Sequence, residues 1–180
     1  AGVDRSIVHV TSEDGALVEV RVHAPRPDGN PRAALVWIHG GGYVMGAAAM
    51  DDARLGDWAA RLGCVTVSPD YRLAPESPFP AALDDAIDAY RGLLACGVPA
   101  SRILLSGESS GGGLAIALAL LLRSAGDPMP AGIVAICPLA DLVLRGESVQ
   151  RFSGDDPAAH RDSLSFMAAS YFQGHEPADP

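Results

Sequence analysis

The chain has 180 residues, 48% hydrophobic and 19% charged, which is enough apolar material for one domain with its own core and too much for a disordered chain. Its formal net charge of −9 excludes the basic footprint that nucleic acid or an anionic membrane surface requires. No apolar run reaches the roughly 18 residues of a membrane span and the N-terminus has no signal-peptide core, so the expectation is a soluble, cytoplasmic protein.

In chain order, Ile7 to Val10 and Leu17 to His23 alternate apolar and polar residues around the turn signal Glu13-Asp14-Gly15, the pattern of an antiparallel hairpin. Four short apolar runs follow: Leu35 to Ile38, Val65 to Val67, Ile103 to Leu105 and Ile133 to Cys137. Their branched residues and lack of alternation predict strands buried on both faces. Between them Ala53 to Leu62, Ala81 to Ala95 and Leu114 to Arg123 are compatible with helices, the second carrying Leu83, Ile87, Tyr90 and Leu94 near helical spacing. Alternating strands and helices predict an α/β fold with a mostly parallel sheet covered on both faces. After Cys137-Pro138 the sequence turns mixed and polar over Asp141 to Asp156, one more amphipathic helix is predicted over Asp162 to Phe172, and the tail from Gly174 to Pro180 has loop chemistry. No strand is predicted after Cys137.

Cys64, Cys96 and Cys137 are odd in number and widely spaced, which favours buried free thiols over a disulfide or a metal site. All 13 basic residues are arginine. The absence of lysine removes Ser-Lys hydrolysis, Schiff-base chemistry and a P-loop from the functions open to these residues. His9 and His23 fall in the hairpin and are expected at the surface.

Gly107-Glu108-Ser109-Ser110-Gly111 lies between a predicted strand and a predicted helix. A G-x-S-x-G pentapeptide in that context reads as a nucleophile elbow, in which small flanking residues let the turn close and lift the serine hydroxyl off the sheet. The pattern alone is weak, with roughly 0.17 matches expected by chance at this composition. A second motif supplies context: His39-Gly40-Gly41-Gly42-Tyr43 directly follows the strand Leu35 to Ile38. Consecutive glycines at a strand's C-terminal end let backbone amides approach an oxyanion, and in an α/β sheet both motifs face the crevice at the strand ends. Ser109 is therefore the candidate nucleophile, with the amides of Gly41, Gly42 and Ser110 as the candidate oxyanion hole. The competing reading of Gly40 to Gly42, a merely flexible turn, does not account for Ser109.

With HGGGY at 39 to 43, DYRLAPE at 70 to 76, FPAALDDA at 79 to 86 and GESSGGGLA at 107 to 115, all in one order, the sequence resembles the bacterial hormone-sensitive-lipase-like esterases of the α/β-hydrolase superfamily. Where that family's elbow more often reads Asp-Ser-Ala, this chain has Glu108-Ser109-Ser110. The resemblance implies an α/β-hydrolase fold with an N-terminal antiparallel hairpin and a partial helical cap. It divides the chain into an incomplete core over 1–140 and a cap-like helical segment over 141–180. It also implies that His39 and Gly40 support the oxyanion loop, that Tyr43 shapes the substrate pocket, and that Asp70, Arg72 and Glu76 belong to a structural loop near the site. The implied activity is hydrolysis of short to medium acyl esters, with a small-molecule ester as partner and no metal or organic cofactor; oligomeric state, a homodimer included, stays open.

A serine hydroxyl needs an adjacent base oriented by an acid, and in this fold the order is Ser, Asp or Glu, then His. The resemblance places that acid and histidine after strands that follow Ile133 to Cys137. The expectation is that both lie beyond Pro180, that the family's C-terminal third is missing, and that Ile133 to Cys137 forms an exposed sheet edge. His160 or His175, with Asp141, Asp155 or Asp156, is the alternative base and acid within the chain. A hydrolase-fold protein that binds a small molecule without turnover is the alternative function, and a thioesterase or amidase would use the same machinery on another leaving group.

Overall fold

The computed structural model describes residues 2–25, 33–156 and 159–175. The hairpin consists of β1 (Val3–Thr11) and β2 (Leu17–Pro25). Its turn closes with Ser12 N–H donating to Ala16 O at 2.8 Å and Gly15 at φ 85°, a left-handed conformation that costs glycine little. Then come β3 (Ala34–Ile38), α1 (Asp52–Leu62), β4 (Val65–Pro69), α2 (Ala81–Ala95), β5 (Ile103–Glu108), α3 (Ser110–Ala125) and β6 (Gly132–Ile136). The strands form one sheet in the order β1-β2-β4-β3-β5-β6, antiparallel from β1 to β4 and parallel from β4 to β6. α1 packs on β2 and β4, while α2 and α3 pack on each other and on the opposite face of the sheet. The alternation of strand and helix read from the sequence thus becomes a mostly parallel sheet with both faces covered.

The continuous apolar runs lie where that pattern requires. All five residues of β3 are buried, and Val36, Ile38, Ile103 and Leu105 meet Leu114, Leu118 and Leu122 of α3 and Tyr90 of α2 in the core. Polar ties hold the surrounding loops. Asp85, fully buried on α2, accepts from the backbone N–H and the guanidinium of Arg72, whose Nη1 also reaches Asp14 in the hairpin turn at 2.6 Å. Ser12 Oγ donates to Asp88 Oδ2 at 2.7 Å, a second link between hairpin and α2.

Four features differ from expectation. α3 begins at Ser110 rather than Leu114, because Gly111 and Gly113, poor helix formers by propensity, pack where no side chain fits. β1 and β2 are longer than their alternating cores. Among the cysteines only Cys64 is buried; Cys96 follows the end of α2 and Cys137 follows β6, and both are exposed. His23 is buried rather than at the surface, because it stands on the sheet face that α1 covers, cross-strand from Arg5 and 3.3 Å from Asp52.

β6 is the sheet edge, as expected, and its Ile133, Val134 and Ile136 are exposed. No strand follows it among the described residues. The remaining elements are two helices, α4 (Glu147–Arg151) and α5 (Arg161–Phe172). The tail reading for 176–180 lies outside the described residues.

Burial holds the His23 imidazolium below the usual histidine range, with Asp52 opposing that shift only in part. The unfolded chain binds this proton near pH 6.5 and the folded chain only at lower pH. Stability linked to His23 is therefore present above about pH 6.5 and is lost as pH falls through the folded value. Urea unfolding at pH 7, 6 and 5 is expected to show falling stability, with a shallower fall in His23→Gln; equal pH slopes in the two proteins would refute this role.

Candidate active site

The turn from β5 into α3 is set by the absence of side chains. A Cβ on Gly107 would stand 2.3 Å from Gly111 O; one on Gly111 would stand 2.0 Å from Ile38 O and 2.4 Å from His39 O; one on Gly113 would stand 2.4 Å from Leu139 O. The first turn of α3 therefore rests directly on the backbone of β5, the end of β3 and the segment after β6. Ser109, between strand and helix, takes φ 54° and ψ −120°, a conformation an L-residue holds only when its surroundings enforce it. Those surroundings are visible: Ser109 N–H donates to Ile136 O at 2.9 Å, and Leu139 N–H and Gly113 N–H donate to Ser109 O at 2.9 and 3.0 Å.

The glycine loop lies against this elbow. A Cβ on Gly40 would be 3.1 Å from Glu108 O and 3.4 Å from Ser109 Cβ. Gly41 and Gly42 have φ of 132° and 62°, and Gly41 O accepts from Val44 and Met45 N–H, turning the loop back on itself. Among the described residues the amides of Gly41 and Gly42 donate to no protein acceptor. Ser110 opens α3, where the first N–H groups lack intrahelical partners and carry the positive end of the helix dipole. The structure thus brings Ser109, Ser110 and the 39–43 loop together.

His39 is buried under this loop, not aimed at Ser109. Its Nδ1 is 2.8 Å from Gly40 O, which makes Nδ1 the protonated nitrogen, and its ring stacks on Tyr71 at 4.1 Å. Burial lowers its pKa, so the ring is neutral. Tyr71 in turn donates its hydroxyl to His39 O at 3.0 Å, and Ala74 N–H donates to Tyr43 O. The 70–76 segment is therefore the floor of the glycine loop: Asp70 accepts from Ala48 N–H at 2.6 Å, Arg72 is held by Asp85, and Glu76 is exposed.

Tyr43 is buried, with its hydroxyl on Leu139 O at 3.0 Å and its ring stacked on Tyr171 of α5 at 4.2 Å. Burial raises the phenols of Tyr43, Tyr71 and Tyr171, which keeps them as hydrogen-bond donors. α5 is fastened further by Phe79 N–H to Tyr171 O at 2.7 Å and by Gln173 Nε2 to Pro75 O at 2.6 Å. Its Met167 thioether fills the space a Cβ on Gly42 would need, 2.2 Å from that position. Sequence reading missed Met167, Tyr171 and Tyr71 as site neighbours; the four-residue step from Met167 to Tyr171, which puts both on one helix face, was the available signal.

The other histidines are engaged elsewhere or exposed. His160 caps α5, its Nδ1 accepting from Asp162 N–H, and His175 packs edge-on to Phe79 at 5.6 Å; His9 is exposed on β1. Ser109 Oγ makes no hydrogen bond among the described residues. Two concavities, of about 270 Å³ beside Arg5, Arg21, His23 and Asp52 and about 200 Å³ beside Asp84, Asp88 and Arg91, do not include the elbow. Among the described residues no group of three or more His, Cys, Asp or Glu could hold a metal ion.

The sequence profile described as the alpha/beta hydrolase fold matches residues 35–180. This chain belongs to that family. An acetyl-hydrolase of Streptomyces hygroscopicus is 40% identical over 88% of this chain and 52% of its own length. The hormone-sensitive lipase of Mus musculus is 35% identical over 94% of this chain and 23% of its own. The crystal structure of an esterase from the bacterial hormone-sensitive lipase family superposes with TM-score 0.88 at 36% identity, covering 99% of this chain and 58% of the other. These relatives bear out the hormone-sensitive-lipase-like resemblance and the α/β-hydrolase fold. The chain spans about half the length of the bacterial relatives it matches.

The glycines of the elbow and those of the helix ends make a controlled comparison. Gly111→Ala drives a methyl into two carbonyl oxygens and is expected to cost at least about 3 kcal/mol. Gly63→Ala, at a left-handed helix end with open space around it, is expected to cost about 1 kcal/mol. Urea unfolding of both variants measures the difference, and equal losses would contradict the contact account.

Proposed function

We propose that this protein is a carboxylic-ester hydrolase acting on short to medium acyl esters through Ser109. Ser109 Oγ attacks the ester carbonyl as its proton passes to a general base, and the carbonyl oxygen becomes an oxyanion that accepts from the amides of Gly41, Gly42 and Ser110. Collapse of this intermediate expels the alcohol, protonated by the same base, and leaves an acyl group on Ser109; water then attacks the acyl-enzyme by the reverse sequence of proton transfers. The observation that carries the reading is the pairing of a serine at φ 54° with an adjoining glycine loop in which the Gly41 and Gly42 amides have no acceptor among the described residues.

Each support residue has a mechanical role in this proposal. His39, neutral and fixed by Gly40 and Tyr71, holds the oxyanion loop and is not the base. Gly40 lets the loop touch the elbow. Tyr43 shapes the pocket from behind by anchoring α5, whose Met167 borders Gly42. Residues 141–180 act as part of a cap over a core formed by 1–140. His160 and His175 are occupied by the α5 cap and Phe79, so we assign the base and its orienting carboxylate to residues outside those described, in keeping with relatives about twice as long. The names of those relatives, acetyl-hydrolase, esterase and ethyl acetate hydrolase, favour small acyl groups.

In the full-length protein a fluorophosphonate is expected to label Ser109, and Ser109→Ala is expected to lose at least about 10⁴-fold in turnover of p-nitrophenyl acyl esters. Folded full-length protein that leaves Ser109 unlabelled would overturn the hydrolase reading and favour a ligand-binding role. Thioester and amide substrates in the same panel test the leaving group.

A further inference from the structure

Glu108 places a carboxylate directly before the proposed nucleophile, on the residue whose backbone carbonyl lies 3.1 Å from the position of a Cβ on Gly40. The sheet register sets its neighbourhood: Trp37 pairs with Ser106 across β3 and β5, and alternation puts Trp37, Ser106 and Glu108 on the face covered by α1. From α1, Arg54 reaches over that face. Its guanidinium sits 4.3 Å from the Trp37 ring centroid and 5.4 Å from that of Trp58, two rings packed edge to face at 5.3 Å. Asp51 fixes the assembly from the other side, accepting from Trp37 Nε1 at 2.6 Å and pairing with Arg54 Nη2. The other terminal nitrogen, Nη1, lies 3.5 Å from Glu108 Oε2.

We infer that Arg54 is a positioning residue for ester hydrolysis: held by Trp37, Trp58 and Asp51, it draws the Glu108 carboxylate aside and neutralises it beside the oxyanion hole. The inference rests on the hydrolase reading above. Catalysis there depends on donors aimed at charge that appears only in the transition state. An unpaired carboxylate one residue from Ser109 opposes that charge without opposing the neutral substrate, so its effect falls on kcat rather than KM. The pair is half exposed, with side-chain accessibilities of 38% for Arg54 and 45% for Glu108, so its worth to folding is small. Its value lies in where the charge stands. Arginine suits the position because one planar group can stack on Trp37 and still present separate N–H groups to two carboxylates.

The test is a double-substitution cycle in the full-length enzyme, with kcat and KM measured on a p-nitrophenyl ester. Arg54→Gln is expected to lower kcat about tenfold with KM changed less than about twofold, a smaller loss than removal of an oxyanion donor. In the Glu108→Gln background the same Arg54→Gln change is expected to cost less than about twofold, because no carboxylate remains to be neutralised. Arg54→Lys, which keeps the charge, is expected to restore most of the activity and provides the readout if Arg54→Gln folds poorly. Loss of packing on the tryptophans would slow the enzyme equally in both backgrounds. That result, or an Arg54→Gln enzyme within twofold of the parent, would overturn the role of Arg54 alone. A parent enzyme that neither turns over ester nor labels at Ser109 would remove the hydrolase reading and this role together.

Discussion

The constraint on which the site depends is the bare contact between the first turn of α3 and the backbone around it. With a Cβ on Gly111 only 2.0 Å from Ile38 O, helix and strand meet at a distance only glycine permits. The chain has no room to leave β5 gradually, so the whole reversal falls on Ser109, at φ 54°. The same closeness sets the glycine loop beside the elbow, because Ile38 and His39, whose carbonyls touch Gly111, lead directly into Gly40 to Gly42. The positions of Ser109 and of the loop are thus two results of one packing requirement.

Around that contact the polar ties are long-range and the basic partner is arginine. Arg72 joins Asp85 of α2 to Asp14 of the hairpin, Arg21 joins β2 to Asp52 of α1, and Arg54 joins Asp51 to Glu108. A guanidinium can bind two carboxylates at once and stack on a ring, whereas an ammonium offers a single point charge. The lack of lysine therefore agrees with a scaffold in which each of these cations bridges two separate elements. Where the pairs are exposed they add little stability; Asp85, fully buried, is the exception, since removing Arg72 would strand an unpaired carboxylate in the core.

Much of this was legible in the sequence because the relevant signals are local. Branched apolar runs marked the buried strands, the Glu13-Asp14-Gly15 turn marked the hairpin, and the two glycine motifs marked the loop and elbow. The start of α3 was misplaced because helix propensity counts glycine as a breaker, whereas here tertiary contact decides. His23 looked like a surface residue because hairpin alternation does not reveal which face another helix will cover. Cys137 looked buried because its run is apolar, yet the run lies at the sheet edge. Tyr71 under His39, Tyr171 on Tyr43 and Arg54 on Trp37 are contacts between distant segments, and no periodicity in a single sequence encodes them.

The central claim is that this packing makes Ser109 a nucleophile that carries an acyl group during turnover. The most direct measurement is to quench the full-length enzyme in acid during turnover of p-nitrophenyl acetate and map the peptides by mass spectrometry. The account predicts one acetyl group on the peptide containing Ser109, attached to Ser109 and lost on further incubation before the quench. Hydrolysis that proceeds undiminished in Ser109→Ala, or an acetyl group found only on another residue, would contradict it.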